Sequence, residues 1–293
     1  MPTSPSSAQD NLVDLPRDLV QTKFDRTTHT LWISMHPQPA KPPNFSRAML
    51  YSLQATLAQL ERTTGIWNES NQAHPIEYAV LRSNHPRYFS LGGDLEYFQE
   101  CIAHRDADRL RSYSTLCLDM MYAFATKVTE RTTTLALVQG RALGGGFETA
   151  LAADHIVAEE HAMFGLPEIT FGLFPCTGAM SLLAHRVGLN KAEEMTTSGQ
   201  LYSARELHDL GIVDAVCETG AGEQAARSFI LKHSSRRKAR RALRSARRRM
   251  DPLHYSELSQ VVQDWVDTAM RLEPQELRYL DALVRMQRAD LAH

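Results

Sequence analysis

Strand and helix signals alternate along residues 20–216 and helical signals alone follow, which predicts an α/β fold with a helical C-terminal region. Three observations carry that expectation. Short apolar runs such as YAVLR at 78–82 and TLALV at 134–138 are bounded by turn residues, as buried strands are. Between them, apolar residues recur at helical spacing, as at Leu50, Leu53, Leu57 and Leu60, with Gly65 marking an end. Beyond residue 220 only the helical period persists. The expected division is a disordered leader over 1–18, a strand–strand–helix core over 19–220 and a helical domain over 221–293.

Taken in order, the Ser/Pro-rich residues 1–18 cannot bury enough apolar surface to offset chain ordering. Residues 20–35 read as two short strands joined near Asp25–Thr28, and 36–45 as a proline-stiffened loop. Leu95, Phe98 and Ile102 mark one helix; Leu110, Tyr113, Leu116, Met120 and Phe124 mark a longer one, whose stripe reads first as core and second as the wall of an acyl tunnel. Ser203 and Glu206 form a capping-box pair, and IVDAV after Gly211 is a strand. Residues 256–290 read as two further helices. His104 and His161 have no partner at ligand spacing and read as surface or core residues, and Asp214 receives no role.

The net charge of −2 conceals an uneven distribution. Residues 236–249, RRKARRALRSARRR, hold nine basic residues and no acid, so the rest of the chain carries −2 minus 9, about −11. Ala239, Leu243, Ala246 and Met250 give this segment an apolar helical stripe, and a solvated surface helix is its plainest reading. Arg240, Arg241 and Arg244 are also candidates for contact with an acidic carrier protein or a phosphate. Nucleic acid ranks behind both, because the segment offers no aromatic residue for base stacking. Four scattered cysteines without a CxxC pair suggest neither a metal site nor a disulfide framework. The N-terminus lacks the pattern of a signal peptide and no run of about 18 apolar residues occurs, so a cytoplasmic protein without membrane insertion is expected.

The densest stretch is GRALGGGFETALAADHIVAEEHAMFGLPE, residues 140–168. Gly144, Gly145 and Gly146 allow positive φ and let a ligand approach bare backbone. A helix opening in those glycines would place Glu148 in its first turn, and Glu168 follows twenty residues later, so two carboxyls can converge on one ligand.

Together with FSLGGD at 89–94, this stretch resembles the crotonase (enoyl-CoA hydratase and isomerase) superfamily. Within it the likeness is nearest to DSF synthases of the RpfF type, on SLGGDLEYF at 90–98, GLPEITFGLFPCTGA at 165–179, WVDTAM at 265–270 and LVRMQ at 283–287. The resemblance implies a ClpP/crotonase spiral of ββα units with a C-terminal helical trimerisation region, assembled as a homotrimer or a dimer of trimers. It places the backbone N–H groups of Leu91 and Gly145 in an oxyanion hole, with Gly92, Gly93, Gly144 and Gly146 against the substrate. It makes Glu148 and Glu168 the catalytic acid and base, in either assignment. The implied activity is dehydration of a 3-hydroxyacyl-ACP to a cis-2-enoyl-ACP, then thioester hydrolysis to release a cis-2-unsaturated fatty acid signal. No cofactor or metal is implied beyond the acyl carrier protein or CoA that bears the substrate. The receiver domain of a sensor kinase is an implied partner. The competing readings are an enoyl-CoA hydratase of fatty acid breakdown and a crotonase-fold binding protein.

Overall fold

The computed structural model describes residues 19–36, 43–69, 72–128 and 131–289. The leader expected at 1–18, and 37–42 of the proline-rich loop, lie outside them. The chain opens with an antiparallel hairpin of β1 (Val20–Asp25) and β2 (Thr30–Met35). In α1 (Arg47–Arg62) the Ser46 hydroxyl accepts from the Met49 N–H, and Met49, Leu50, Leu53, Leu57 and Leu60 are buried. A small hairpin follows, β3 (Ile66–Glu69) with β4 (Gln72–Pro75), which its polar composition hides in the sequence.

Three strand–strand–helix turns then build the body. The first is β5 (Tyr78–Ser83) and β6 (Tyr88–Ser90) with α2 (Leu95–Ala103) and α3 (Ala107–Tyr122), the last running into a π-helical turn at Ala123–Lys127. The second is β7 (Thr133–Val138) and β8 (Arg141–Leu143) with α4 (Gly145–Leu151). The third is β9 (His155–Glu159) and β10 (Met163–Gly165), a 3-10 turn at Pro167–Phe171, then α5 (Ala179–Val187) and α6 (Leu189–Ser198). A closing unit has β11 (Leu201–Ser203), α7 (Ala204–Asp209) under the expected capping box, and β12 (Ala215–Cys217). Helices α8 (Gly222–Ser234), α9 (Arg237–Met250), α10 (Tyr255–Ala269) and α11 (Pro274–Ala289) follow.

The first strand of each turn enters a six-stranded sheet, ordered β1-β2-β5-β7-β9-β12 and parallel except for β1. The second strand enters a four-stranded sheet, ordered β11-β10-β8-β6. This alternation between two sheets is the crotonase spiral. Both faces of the large sheet are covered, which is why its strands read as continuous apolar runs. Ile33, Leu81, Ala136 and Ile156 face the main core, whereas Trp32, Val80, Leu137 and Val157 face the other way under Ala226 and Ile230 of α8. From the far side α10 buries Leu258, Val262, Trp265, Val266 and Ala269 in the main core.

Helix α9 inverts the usual arrangement. It buries no residue, and several of its basic side chains turn toward the protein: Arg237 pairs with Glu77 at 2.7 Å, and Arg244 and Arg248 pair with Asp154. Leu243 is 72% exposed and Met250 87%. Arg241 and Arg244, expected as carrier or phosphate contacts, have partners within the protein. Arg241 donates to the Arg131 carbonyl, and Arg244 to Asp154 and the Thr133 hydroxyl, because carboxylate and carbonyl oxygens at this end of the large sheet draw them inward. Arg240 is exposed and stands, like the other two, outside the cavity described next.

Candidate active site

The spiral brings the turn after β8, the loop after β6 and the turn after β10 to one cavity of about 880 Å³, counting its mouth. Leu91, Gly93, Leu143, Gly144 and Gly145 supply backbone, Glu148 and Glu168 the carboxyls. The walls are largely apolar: Phe45, Leu95, Phe98, Met120, Phe171 and Phe174, with Trp265 from α10 and Leu283 and Gln287 from α11. A mostly apolar cleft with few convergent polar groups is how proteins hold an extended organic ligand.

Glu148 is 2% exposed and saturated with donors. Its Oε1 accepts the N–H groups of Thr177 at 2.8 Å and Ala179 at 3.0 Å, and its Oε2 accepts the Thr177 hydroxyl at 2.6 Å. Burial raises its pKa while these donors pull it back. Glu168 is treated differently. Its Oε2 is buried without a partner, and burial, then the neighbouring Glu148 charge, push its pKa from 4.5 up to about 8. Both carboxyls thus lie above the ordinary range, and their environments set them apart: donors offset burial at Glu148, while at Glu168 the Glu148 charge adds to it.

That separation lowers stability. The folded state keeps the Glu168 proton after the unfolded chain, with an ordinary carboxyl near 4.5, has lost it. Stability from this group is thus fully present below about pH 4.5 and declines as pH rises toward about 8. Holding it protonated at pH 7 costs on the order of 3 kcal/mol. Glu168→Gln is expected to melt higher than the parent at pH 8 and nearly level with it at pH 4.5. A melting difference independent of pH would show that Glu168 is not so perturbed.

Gly144 explains how Glu168 fits. With φ +51 and ψ −125 it adopts a backbone that side chains avoid, and a Cβ there would lie 2.5 Å from Glu168 Oε1. The following helix, α4, has only seven residues, so its contribution to an anion is its individual N–H groups rather than a macrodipole. The Gly145 N–H, at the first helical position, has no acceptor four residues back.

The second donor expected from sequence is corrected. The Leu91 N–H donates to the Pro43 carbonyl at 2.8 Å, and the Phe45 N–H to the Gly92 carbonyl at 2.8 Å, because residues 43–45 run parallel to 91–93 as a short extra strand. Gly92, at φ +87, turns the chain, and Gly93 is the glycine of the loop that lines the cavity. Its nitrogen lies 3.7 Å from where a Gly145 Cβ would stand. Gly92 and Gly146 line no part of the cavity; a Cβ on either would meet backbone oxygen, of Leu143 at 2.6 Å and of Ser90 at 2.5 Å. They permit the loop and the turn to touch rather than contacting a ligand.

Sequence reasoning missed several lining residues. Ser114 Oγ is buried without a partner in the cavity wall, a second polar atom that a ligand or water would complete. Cys117 and Cys176 also line it, and burial raises both thiols, that of Cys117 up to about 12, so both stay protonated. Thr177, which anchors Glu148, lies in a segment quoted for its resemblance without a role of its own. Asp214 stands elsewhere, accepting from the Ile156 N–H and pairing with His155 at 2.7 Å.

A family model described as enoyl-CoA hydratase/isomerase matches residues 53–269. The chain is 33% identical over 174 residues to a peroxisomal fatty acid beta-oxidation multifunctional protein of Arabidopsis thaliana, covering 59% of this chain and 23% of that protein. It is 29% identical over 181 residues to a probable enoyl-CoA hydratase of Bacillus subtilis, covering 62% and 63%. The match thus spans less than two thirds of either relative. The fold is similar to a crystal structure of enoyl-CoA hydratase from Bacillus halodurans, with TM-score 0.72 and 24% identity over 90% of this chain and 99% of that one.

Proposed function

Since this chain belongs to the enoyl-CoA hydratase/isomerase family, we propose that it eliminates water from a 3-hydroxyacyl thioester on acyl carrier protein and then hydrolyses the cis-2-enoyl thioester to a free fatty acid, as a DSF synthase does. The observation that carries this reading is the carboxyl pair in one apolar cavity, Glu148 held by three donors and Glu168 Oε2 without a partner. The thioester oxygen sits between the N–H groups of Gly93 and Gly145. An ionised carboxylate takes a proton from C2, and the electron pair moves onto that oxygen as an enolate. The enolate collapses, the C3–O bond breaks, and the other carboxyl donates its proton to the departing hydroxyl, which leaves as water. One proton has crossed from one glutamate to the other, so a proton exchange resets the pair. In the second step a carboxylate deprotonates water as it attacks the carbonyl carbon, the same N–H groups hold the tetrahedral oxyanion, and the carrier thiol leaves with the proton.

The cover formed by Trp265, Leu283 and Gln287 supports the signal-synthase version, since these residues fall in the two C-terminal motifs on which that resemblance rests. The raised pKa of Glu168 supports a second reading, an enoyl-CoA hydratase. In the hydration direction Glu168 would protonate C2 while Glu148 activates water. Among the described residues no helix is long and apolar enough to cross a membrane, so neither reading places the thioester in a bilayer through such a span.

Incubation with 3-hydroxydodecanoyl carrier protein, with products resolved by mass spectrometry, separates the two. The signal synthase yields free cis-2-dodecenoic acid; the hydratase yields only trans-enoyl or hydrated thioester. pH supplies an independent check. Elimination and its reversal both need one proton on the pair, so both should fall about tenfold per pH unit above about 8. Hydrolysis of a supplied cis-2-enoyl thioester needs only an ionised base and should persist there. Parallel loss of both activities above pH 8 would count against two steps at this site.

A further inference from the structure

Tyr113, on α3, is buried, yet its hydroxyl is bonded on both sides, with the Cys117 thiol also beside it. It donates to the Phe45 carbonyl at 2.6 Å and accepts from the Asp94 N–H at 2.9 Å. Those groups belong to the two strips that frame the oxyanion donors. Residues 43–45 are sewn to 91–93 through the Leu91 and Phe45 N–H groups, and Asp94 caps α2 by accepting from the Tyr97 N–H. The Tyr113 ring lies against Tyr97 at 5.2 Å and Phe98 at 5.4 Å, centroid to centroid, so its hydroxyl has little freedom to move. Buried tyrosine hydroxyls ordinarily find partners; what sets this one apart is that its partners are backbone groups of the two segments that frame the donors.

We propose that Tyr113 is a positioning residue for the oxyanion hole: it clamps the 43–45 strip and the 91–94 loop to α3, so that the Gly93 N–H stays directed at the thioester oxygen beside Gly145. The Tyr113 ring lines the cavity, but its hydroxyl is bound to these backbone groups, and it acts through them. Without the hydroxyl, the Phe45 carbonyl and the Asp94 N–H lose their buried partner, and the loop relaxes around Gly92, whose glycine backbone resists rotation least. A donor displaced by even an ångström loses much of its value to the transition state. The inference rests on the thioester reading above.

The test is Tyr113→Phe, read two ways. Turnover of the hydroxyacyl thioester should fall about 10- to 100-fold with KM within about threefold. Infrared spectra of a bound ketone analogue, with a ¹³C-labelled carbonyl and CH₂ in place of the thioester sulfur, report the hole directly. The carbonyl stretch should move to lower frequency on binding the parent and move less on binding the variant. Equal shifts, with turnover within about twofold, would overturn the clamp. No shift in the parent would remove the thioester reading and the clamp with it. Amide hydrogen exchange on the parent keeps the proposal testable should the variant fail to fold: the Asp94 N–H should be strongly protected, and exchange at the rate of an exposed loop would overturn it.

Discussion

Glu148→Ala and Glu168→Ala are each expected to lower free-acid production by about 10²- to 10⁴-fold, the range over which a positioned general acid or base acts. The two variants should part company in melting. Removing Glu148 strands the N–H groups of Thr177 and Ala179 and the Thr177 hydroxyl, at roughly 1–3 kcal/mol for each buried group left unmatched. Removing Glu168 strands no such partner and relieves a carboxyl whose buried Oε2 has none. Glu148→Ala should therefore melt below the parent at pH 8, and Glu168→Ala above Glu148→Ala. Product assays and thermal melts on both variants check this. Full activity in either would sink the two-carboxyl mechanism, and a reversed melting order would mean that the donors around Glu148 are not what holds it.

The second large effect is expected at Gly92→Ala, a change of one methyl group outside the cavity. The added Cβ would lie 2.6 Å from the Leu143 carbonyl and 2.9 Å from the Gly145 nitrogen, both backbone atoms with nowhere to retreat, at a φ of +87. The loop and the glycine turn must separate, which spoils the pair of donors together. A loss of about 10²- to 10³-fold in turnover follows, comparable to deleting one oxyanion donor, with destabilisation of a few kcal/mol. Alanine at Gly188 is the comparison: φ is +82 there, but a Cβ would meet nothing within 4 Å, so strain appears without the catalytic loss. Equal activity losses in the two variants would refute contact with the turn as the cause.

The carboxyls and the glycine turn were legible in the sequence because they are local. GGG, Glu148 and the PE at 167–168 sit in two consecutive ββα turns, and their meaning lies in residue type and short spacing. The donor of the 89–94 loop was not legible, because which N–H is free depends on Pro43, nearly fifty residues earlier, taking the Leu91 N–H. The strands of the small sheet are mostly three residues long, too short for alternation to register. Tyr113 and Trp265 lie in ordinary helical stripes, and only tertiary contacts distinguish a clamp or a cavity wall from core. The facing of α9 eluded pattern reading for a different reason. An apolar stripe ordinarily turns inward, but Glu77 and Asp154, on remote segments, pull the arginines in instead.

The cavity is walled by residues from opposite ends of the chain, Phe45 near one and Gln287 near the other, and that orders its appearance during synthesis. At roughly 5–20 residues per second, Glu168 leaves the ribosome on the order of ten seconds before Gln287. Through that interval the nascent spiral can carry both carboxyls and its glycine turn, but not Trp265 or Leu283 to keep water from them. Glu168 then sits closer to bulk solvent, and the walls at Phe98 and Met120 lack the cover of Trp265 and Leu283. A chain arrested before its last helices thus leaves apolar cavity wall uncovered, so these helices shield the nascent spiral as well as complete the cavity.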